Sequence, residues 1–84
     1  SRIYIPERYR FFLPSKEQDF ILITNVGNIK THITSNGYLT KGLRQWFHAN
    51  GPLMPKDEIL IKSIKEETHH YEMIYKKREN ENNN

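Results

Sequence analysis

Short apolar runs broken by turn residues dominate the chain, and only one stretch carries a helical period. Residues 2–5, Arg-Ile-Tyr-Ile, are β-branched and aromatic and stop at Pro6, which predicts a short strand. Pro6 suits the first position of a brief helix over residues 7–12, closed by Pro14. Residues 20–24, Phe-Ile-Leu-Ile-Thr, are continuously apolar up to the threonine, the mark of a strand covered on both faces. Turn chemistry follows in residues 25–28, with Gly27 free to take positive φ. From Ile29 the pattern alternates, with Ile29, Thr31 and Ile33 inward and Lys30, His32 and Thr34 outward, so the two runs around Gly27 predict a hairpin.

Ser35-Asn36-Gly37 signals a second turn, and Thr40 is placed to cap a helix over residues 41–50, with Gly51 just past its end. Leu43, Trp46 and Phe47 fall at i, i+3 and i+4 and give that helix one apolar stripe, while Gly42 weakens its first turn. Residues 58–64 predict another strand, Glu66-Glu67-Thr68 a turn, and residues 70–75 a last strand with Tyr71, Met73 and Tyr75 on one face. Residues 77–84 contain no apolar side chain and read as a disordered tail or linker behind a domain of residues 1–76. Hairpin-length connections between about five strands, with two short helices, predict a mainly β fold: a small open antiparallel β-barrel with a helix near each end.

Composition narrows the options. In 84 residues there is room for one small core, and the apolar fraction of 36% is enough to pack it. Cysteine is absent, which excludes disulfides and thiolate metal sites and leans towards an intracellular setting. No apolar run is long enough to span a bilayer, so no membrane partner is expected. The chain is expected to be a domain of a longer polypeptide.

The net charge of +3 says less than its distribution. Between Asp19 and Asp57 there is no acidic side chain at all, yet that stretch carries Lys30, Lys41, Arg44 and Lys56 with His32 and His48. The first residues add Arg2, Arg8, Arg10 and Lys16 against Glu7 alone, and the acids gather instead from Asp57 onward. A surface facing phosphates needs such segregation, because an interspersed carboxylate would repel the backbone it meets.

Catalytic patterns are missing. His69 and His70 are adjacent and would point to opposite faces of a strand, and His32 and His48 lie on different elements, which makes a metal site unexpected. No lysine has Asp or Glu two positions before it, as a metal-dependent nuclease motif would require, and there is no nucleophile elbow or phosphate-cradling glycine loop. Neither catalysis by this fragment nor a cofactor is expected. Basic and aromatic residues interleave instead in Arg2-Ile3-Tyr4, Arg8-Tyr9-Arg10 and residues 38–44. Tyr9, Phe11, Phe12, Trp46 and Phe47 are assigned to the core. Ser35-Asn36-Gly37-Tyr38 stands among cations and offers groups that can address base edges.

The order Ile5-Pro6, Tyr9 to Pro14, Gly27 with Lys30 and His32-Ile33, Leu39-Thr40 to Gly42, Trp46-Phe47, Asn50 and Asp57 before an Ile-rich strand resembles the DNA-binding pseudobarrel family. That family includes plant B-three transcription-factor domains and recognition domains of some bacterial restriction endonucleases. The resemblance, over residues 3–65, implies an open barrel that grips the major groove of double-stranded DNA with two arms. Arg2, Tyr4, Arg8 and Arg10 would lie in or beside the N-terminal arm. His32, Thr34, Ser35, Asn36 and Tyr38 would form the C-terminal arm, with Lys30, Lys41 and Arg44 on phosphates. It also implies a fused or associated nuclease domain as partner. The competing expectation is a protein-interaction module whose basic face meets an acidic partner or sister domain.

Overall fold

The apolar run Phe20–Thr24 forms its expected strand, and strands pair with it along both edges. The computed structural model describes residues 2–15 and 17–78; Lys16 and the segment expected to be a tail beyond residue 78 lie outside the described residues. In chain order the elements are β1 (Ile3–Tyr4), a 3-10 helix (Glu7–Phe12), β2 (Phe20–Thr24), β3 (Gly27–Thr31), β4 (Tyr38–Leu39), helix α1 (Arg44–Asn50), β5 (Glu58–Ser63) and β6 (His70–Lys76). The protein is mainly β with two short helices, as expected. Its strands form a two-stranded sheet, β1-β4, and a four-stranded sheet in the order β3-β2-β6-β5.

The antiparallel expectation needs one correction. β2 and β3 form the expected hairpin, and β5 and β6 form another, but β2 and β6 run parallel, pairing Ile21 with His70 and Ile23 with Glu72. Parallel neighbours need a long crossover, and the whole segment from β3 to β5 supplies it. The junction is held by the Ile21 N–H donating to the His69 carbonyl at 2.9 Å, with His69 at φ 61°.

The helix expected from residue 41 starts at Arg44, and Thr40 does not cap it. Gly42 is the reason: it sits at φ +80°, outside helical conformation, and a Cβ there would lie 2.8 Å from Ile29 Cγ2 and 3.2 Å from the Lys30 carbonyl oxygen. The chain is therefore pressed onto β3 just before the helix begins. At the other end Asn50 donates to the Trp46 carbonyl and exchanges amide hydrogen bonds with Asn25 of the β2-β3 turn, which ties α1 to that hairpin.

The predicted faces hold. Ile29, Thr31 and Ile33 are buried, as are Leu43 and Trp46, and Tyr71 and Met73 point inward from β6. Trp46 meets Phe47 and Tyr75 edge-on at 5.0 and 5.4 Å, and Phe20 meets Tyr71 at 5.4 Å. Tyr9, Phe11 and Phe12 do not join this core: they are 48%, 76% and 63% exposed. A 3-10 helix has three residues per turn, so Tyr9 and Phe12 share one side while Phe11 points elsewhere, and none of the element's residues is buried. Phe11 and Phe12 pack on each other instead, with ring centroids 4.1 Å apart.

Asp57 closes the C-terminal part. Its carboxylate accepts the Met54 N–H, the Arg78 N–H and the Tyr75 hydroxyl, each at 2.8 Å. The backbone hydrogen bond from Arg78, then that from Met54, holds the Asp57 carboxyl below the ordinary carboxylate range, and the hydrogen bond to Asp57 raises the Tyr75 phenol.

Two outcomes follow from this packing. Trp46→Ala is expected to cost about 3–5 kcal/mol in urea unfolding, because it empties the contact between α1 and β6. A depressed Asp57 stabilises the fold above its unfolded value of about 3.9, and that contribution is lost as pH falls through the lower folded value. Asp57→Ala should therefore flatten the acid limb of the thermal midpoint plotted against pH. In alkaline absorbance titration the same variant should let Tyr75 ionise at lower pH.

Candidate nucleic-acid interface

β1 reaches the rest of the chain through β4, with Ile3 opposite Leu39 and Tyr4 opposite Tyr38. The alternation that buries Ile3 and Leu39 turns Tyr4 and Tyr38 outward, where their rings meet at 5.2 Å. A guanidinium flanks each ring: Arg2 lies 4.2 Å from the Tyr38 centroid and Arg10 lies 5.3 Å from that of Tyr4. The result is a ladder, Arg2 to Tyr38 to Tyr4 to Arg10, built from residues in three parts of the chain. A cation over an aromatic face gains from the ring quadrupole and leaves its outer side able to meet an anion or a base.

Beyond Tyr38 the chain folds into the tight turn that Asn36-Gly37 signals. The Gly37 N–H donates to the Thr34 carbonyl and the Thr34 N–H to the Tyr38 carbonyl, both at 2.9 Å, and Thr34 Oγ1 accepts the Tyr38 N–H at 3.1 Å. The Gly37 carbonyl in turn accepts the Ile5 N–H at 2.9 Å. Gly37 is at φ +89°, and the Arg10 guanidinium fills the space a Cβ would occupy. Arg10 Nε donates to the Ile5 carbonyl at 2.7 Å and its Nη2 to the Tyr4 hydroxyl at 3.0 Å. Arg10 thus braces the turn against β1, a positioning role for a residue expected to face a ligand, and Thr34 is likewise spent on the turn. Ser35 and Asn36 are left exposed at the tip.

A second cationic surface adjoins the first through Arg2. An open groove of about 1130 Å³ is lined by Arg2, Arg44, Gln45 and His48 with Phe47 and Leu53 beside them. Burial of Leu43 and Trp46 turns Arg44, Gln45 and His48 outward from α1. Gln45 and His48 were missed as site residues, although the helical period that buries Leu43 and Trp46 already points them away from the core. Lys41 is exposed beside Gly42, whose contact with the Lys30 backbone brings the Lys41 segment next to β3.

The remaining expected residues are placed less directly. Lys30 is exposed on β3. His32 is partly covered, with Nδ1 3.5 Å from Asp19 Oδ1, so its outward role is shared with a carboxylate. Arg8 is exposed over the Tyr9 ring at 4.7 Å, and no contact joins it to the ladder. Among the described residues no group of three or more histidine, aspartate or glutamate side chains could hold a metal. No helix among them is long and apolar enough to cross a membrane.

Fold and surface together define a mainly β domain with a cation-and-aromatic ladder continuous with a basic groove. No family model, curated protein or solved structure matches this chain.

If Gly37 makes room for Arg10, Gly37→Ala should cost about 1–2 kcal/mol from the left-handed backbone alone, and more with Arg10 present. In a double-mutant cycle with Arg10→Ala, read by urea unfolding, the double variant is expected to lose less stability than the sum of the two single variants.

Proposed function

We propose that this chain is a sequence-specific double-stranded DNA-binding domain, an open barrel that grips the major groove through two arms. In this reading the first arm is β1 with Arg2 and Tyr4, and the second is the turn of residues 34–37 with Tyr38. The observation that carries it is the ladder joining them. Arg2 and Tyr38 stand at one end of a stacked surface, the exposed Ser35 and Asn36 lie beside it, and the Arg44 groove continues it without an acidic side chain. Cations of this kind fix a protein on phosphates, while Asn, Ser and Arg can reach base edges. Arg10 and Thr34 support the arm from within, and His32 stands beside Asp19. Catalysis is assigned to no residue of this chain; a nuclease domain fused to or associated with it, inside the cell, would supply strand cleavage.

Selection from a random duplex library, followed by titration of the winner against a scrambled duplex, tests this reading. A short consensus bound at least about tenfold more tightly than scrambled DNA supports direct readout. Asn36→Ala should then cost about 1–3 kcal/mol on the consensus and relax specificity at one position, whereas Lys41→Ala should weaken consensus and scrambled duplex alike and lower the salt slope by about one. Equal, weak binding to every duplex would overturn it and leave the basic face to an acidic protein partner or sister domain.

A further inference from the structure

β5 is an edge strand, with β6 on one side and, among the described residues, no strand on the other. On one face its ladder with β6 pairs Glu58 with Lys76, Leu60 with Ile74 and Lys62 with Glu72. All six side chains are exposed, including the large apolar Leu60 at 55% and Ile74 at 38%. Both strands read Glu, apolar, Lys at alternate positions: Glu58, Leu60, Lys62 and Glu72, Ile74, Lys76. Because they run antiparallel, each Glu meets a Lys and the apolar pair meets in the middle.

Such a pattern is complementary to itself. A second β5 laid antiparallel along the free edge, with Leu60 opposite Leu60 of the other copy, sets Glu58 opposite Lys62 at both ends. One apolar row of Ile74 and Leu60 and two charged rows of alternating lysine and glutamate would then run unbroken across both copies.

The backbone favours the same register. The Ile64 N–H donates to the His70 carbonyl at 3.1 Å, which makes that a hydrogen-bonded pair. The alternation of an antiparallel ladder carries such pairs to Lys62, Leu60 and Glu58, so Ile59, Ile61 and Ser63 turn their N–H and C=O groups to the free edge. With Leu60 centred, Ile59 of one copy meets Ile61 of the other and both sets of groups are satisfied. Slipping by one residue aims the backbone groups apart. Slipping by two sets Leu60 against a charged residue and removes both ion pairs.

Single-copy proteins blunt their edges with proline, bulges or like charges. β5 carries no proline, its pairing with β6 is unbroken from Glu58 to Ser63, and its one Lys is balanced by its one Glu. Beside the edge lies an apolar groove of about 540 Å³, bordered by Ile59, Leu60 and Ile61 and across from them by Tyr4, Tyr9 and Phe12. A second copy on β5 would cover part of it.

We propose that β5 pairs antiparallel with β5 of a second copy of this chain, registered by reciprocal Glu58–Lys62 contacts. The proposal does not rest on the DNA reading. Its test is light scattering and sedimentation equilibrium at low salt, up to about 1 mM chain. The wild-type chain is expected to form dimers. Glu58→Lys and Lys62→Glu each place like charges at both ends and should weaken dimerisation about tenfold or more. An equimolar mixture of the two variants should dimerise again, since the lysines of one face the glutamates of the other. That recovery requires folded chains, so it separates lost pairing from lost folding. A wild-type chain that stays monomeric leaves the edge to a different partner and overturns the proposal. So does a dimer indifferent to both charge reversals, or a mixture that remains monomeric.

Discussion

The parallel pairing of residues 21–23 with residues 70–72 is the contact through which the rest of the protein holds together. It joins two hairpins, β2-β3 and β5-β6, neither of which would be stable alone in water. It also carries the cost of closing a long loop, and the return is the burial it permits. Phe20 reaches Tyr71 only because those strands are neighbours, and the crossover between them carries α1, whose Trp46 lands against Tyr75. One tryptophan therefore packs an element of the crossover onto the hairpin that follows it. Without cysteine, this interlock takes the place a disulfide holds in many domains of similar size.

The cationic surface inherits its geometry from the same closure. β1 is two residues long, and its partner β4 is no longer, so neither strand could persist as an isolated pair. Three contacts compensate: the burial of Ile3 and Leu39, the Ile5 hydrogen bond to the Gly37 carbonyl, and the Arg10 guanidinium bridging Ile5 and Tyr4. The last depends on a single missing carbon at Gly37. Arg10 thus acts as a brace, while Arg2, Ser35, Asn36, Lys41 and Arg44 stay exposed.

Charge is divided between two regions with different logic. Between Asp19 and Asp57 the cations stand without an acidic side chain, so their fields add. On β5 and β6 glutamate and lysine alternate across the strands and cancel locally. The first arrangement concentrates positive charge, and the second stabilises pairing between strands while leaving little net field. A protein with a formal charge of only +3 can thus carry a groove lined by Arg2, Arg44 and His48 with no acidic side chain.

What was legible in the sequence was whatever a local period reports. Alternation placed β3 and β6 with their inward faces correct, the apolar runs placed β2 and β5, and the i, i+3, i+4 spacing placed Leu43 and Trp46 beneath α1. Arg2, Tyr4, Tyr38 and Arg44 stand out as candidates by interleaved charge and aromaticity, and Asn36 as part of a turn set among cations. Periodicity describes one element at a time, however, and says nothing about which strands become neighbours or in which direction. The parallel β2-β6 pair, the two-residue β4 and the late start of α1, held back by Gly42, all arise from contacts between distant segments. Phe11 and Phe12 illustrate the limit from the other side: hydrophobicity alone assigned them to the core, but a six-residue 3-10 helix between prolines has no face wide enough to bury both. Arg10 belongs to the same class. Its charge is visible in the chain, whereas its engagement by Ile5, Tyr4 and Gly37 exists only once tertiary structure brings β1 and β4 side by side, because a hydrogen bond is decided by ångströms that no local pattern encodes.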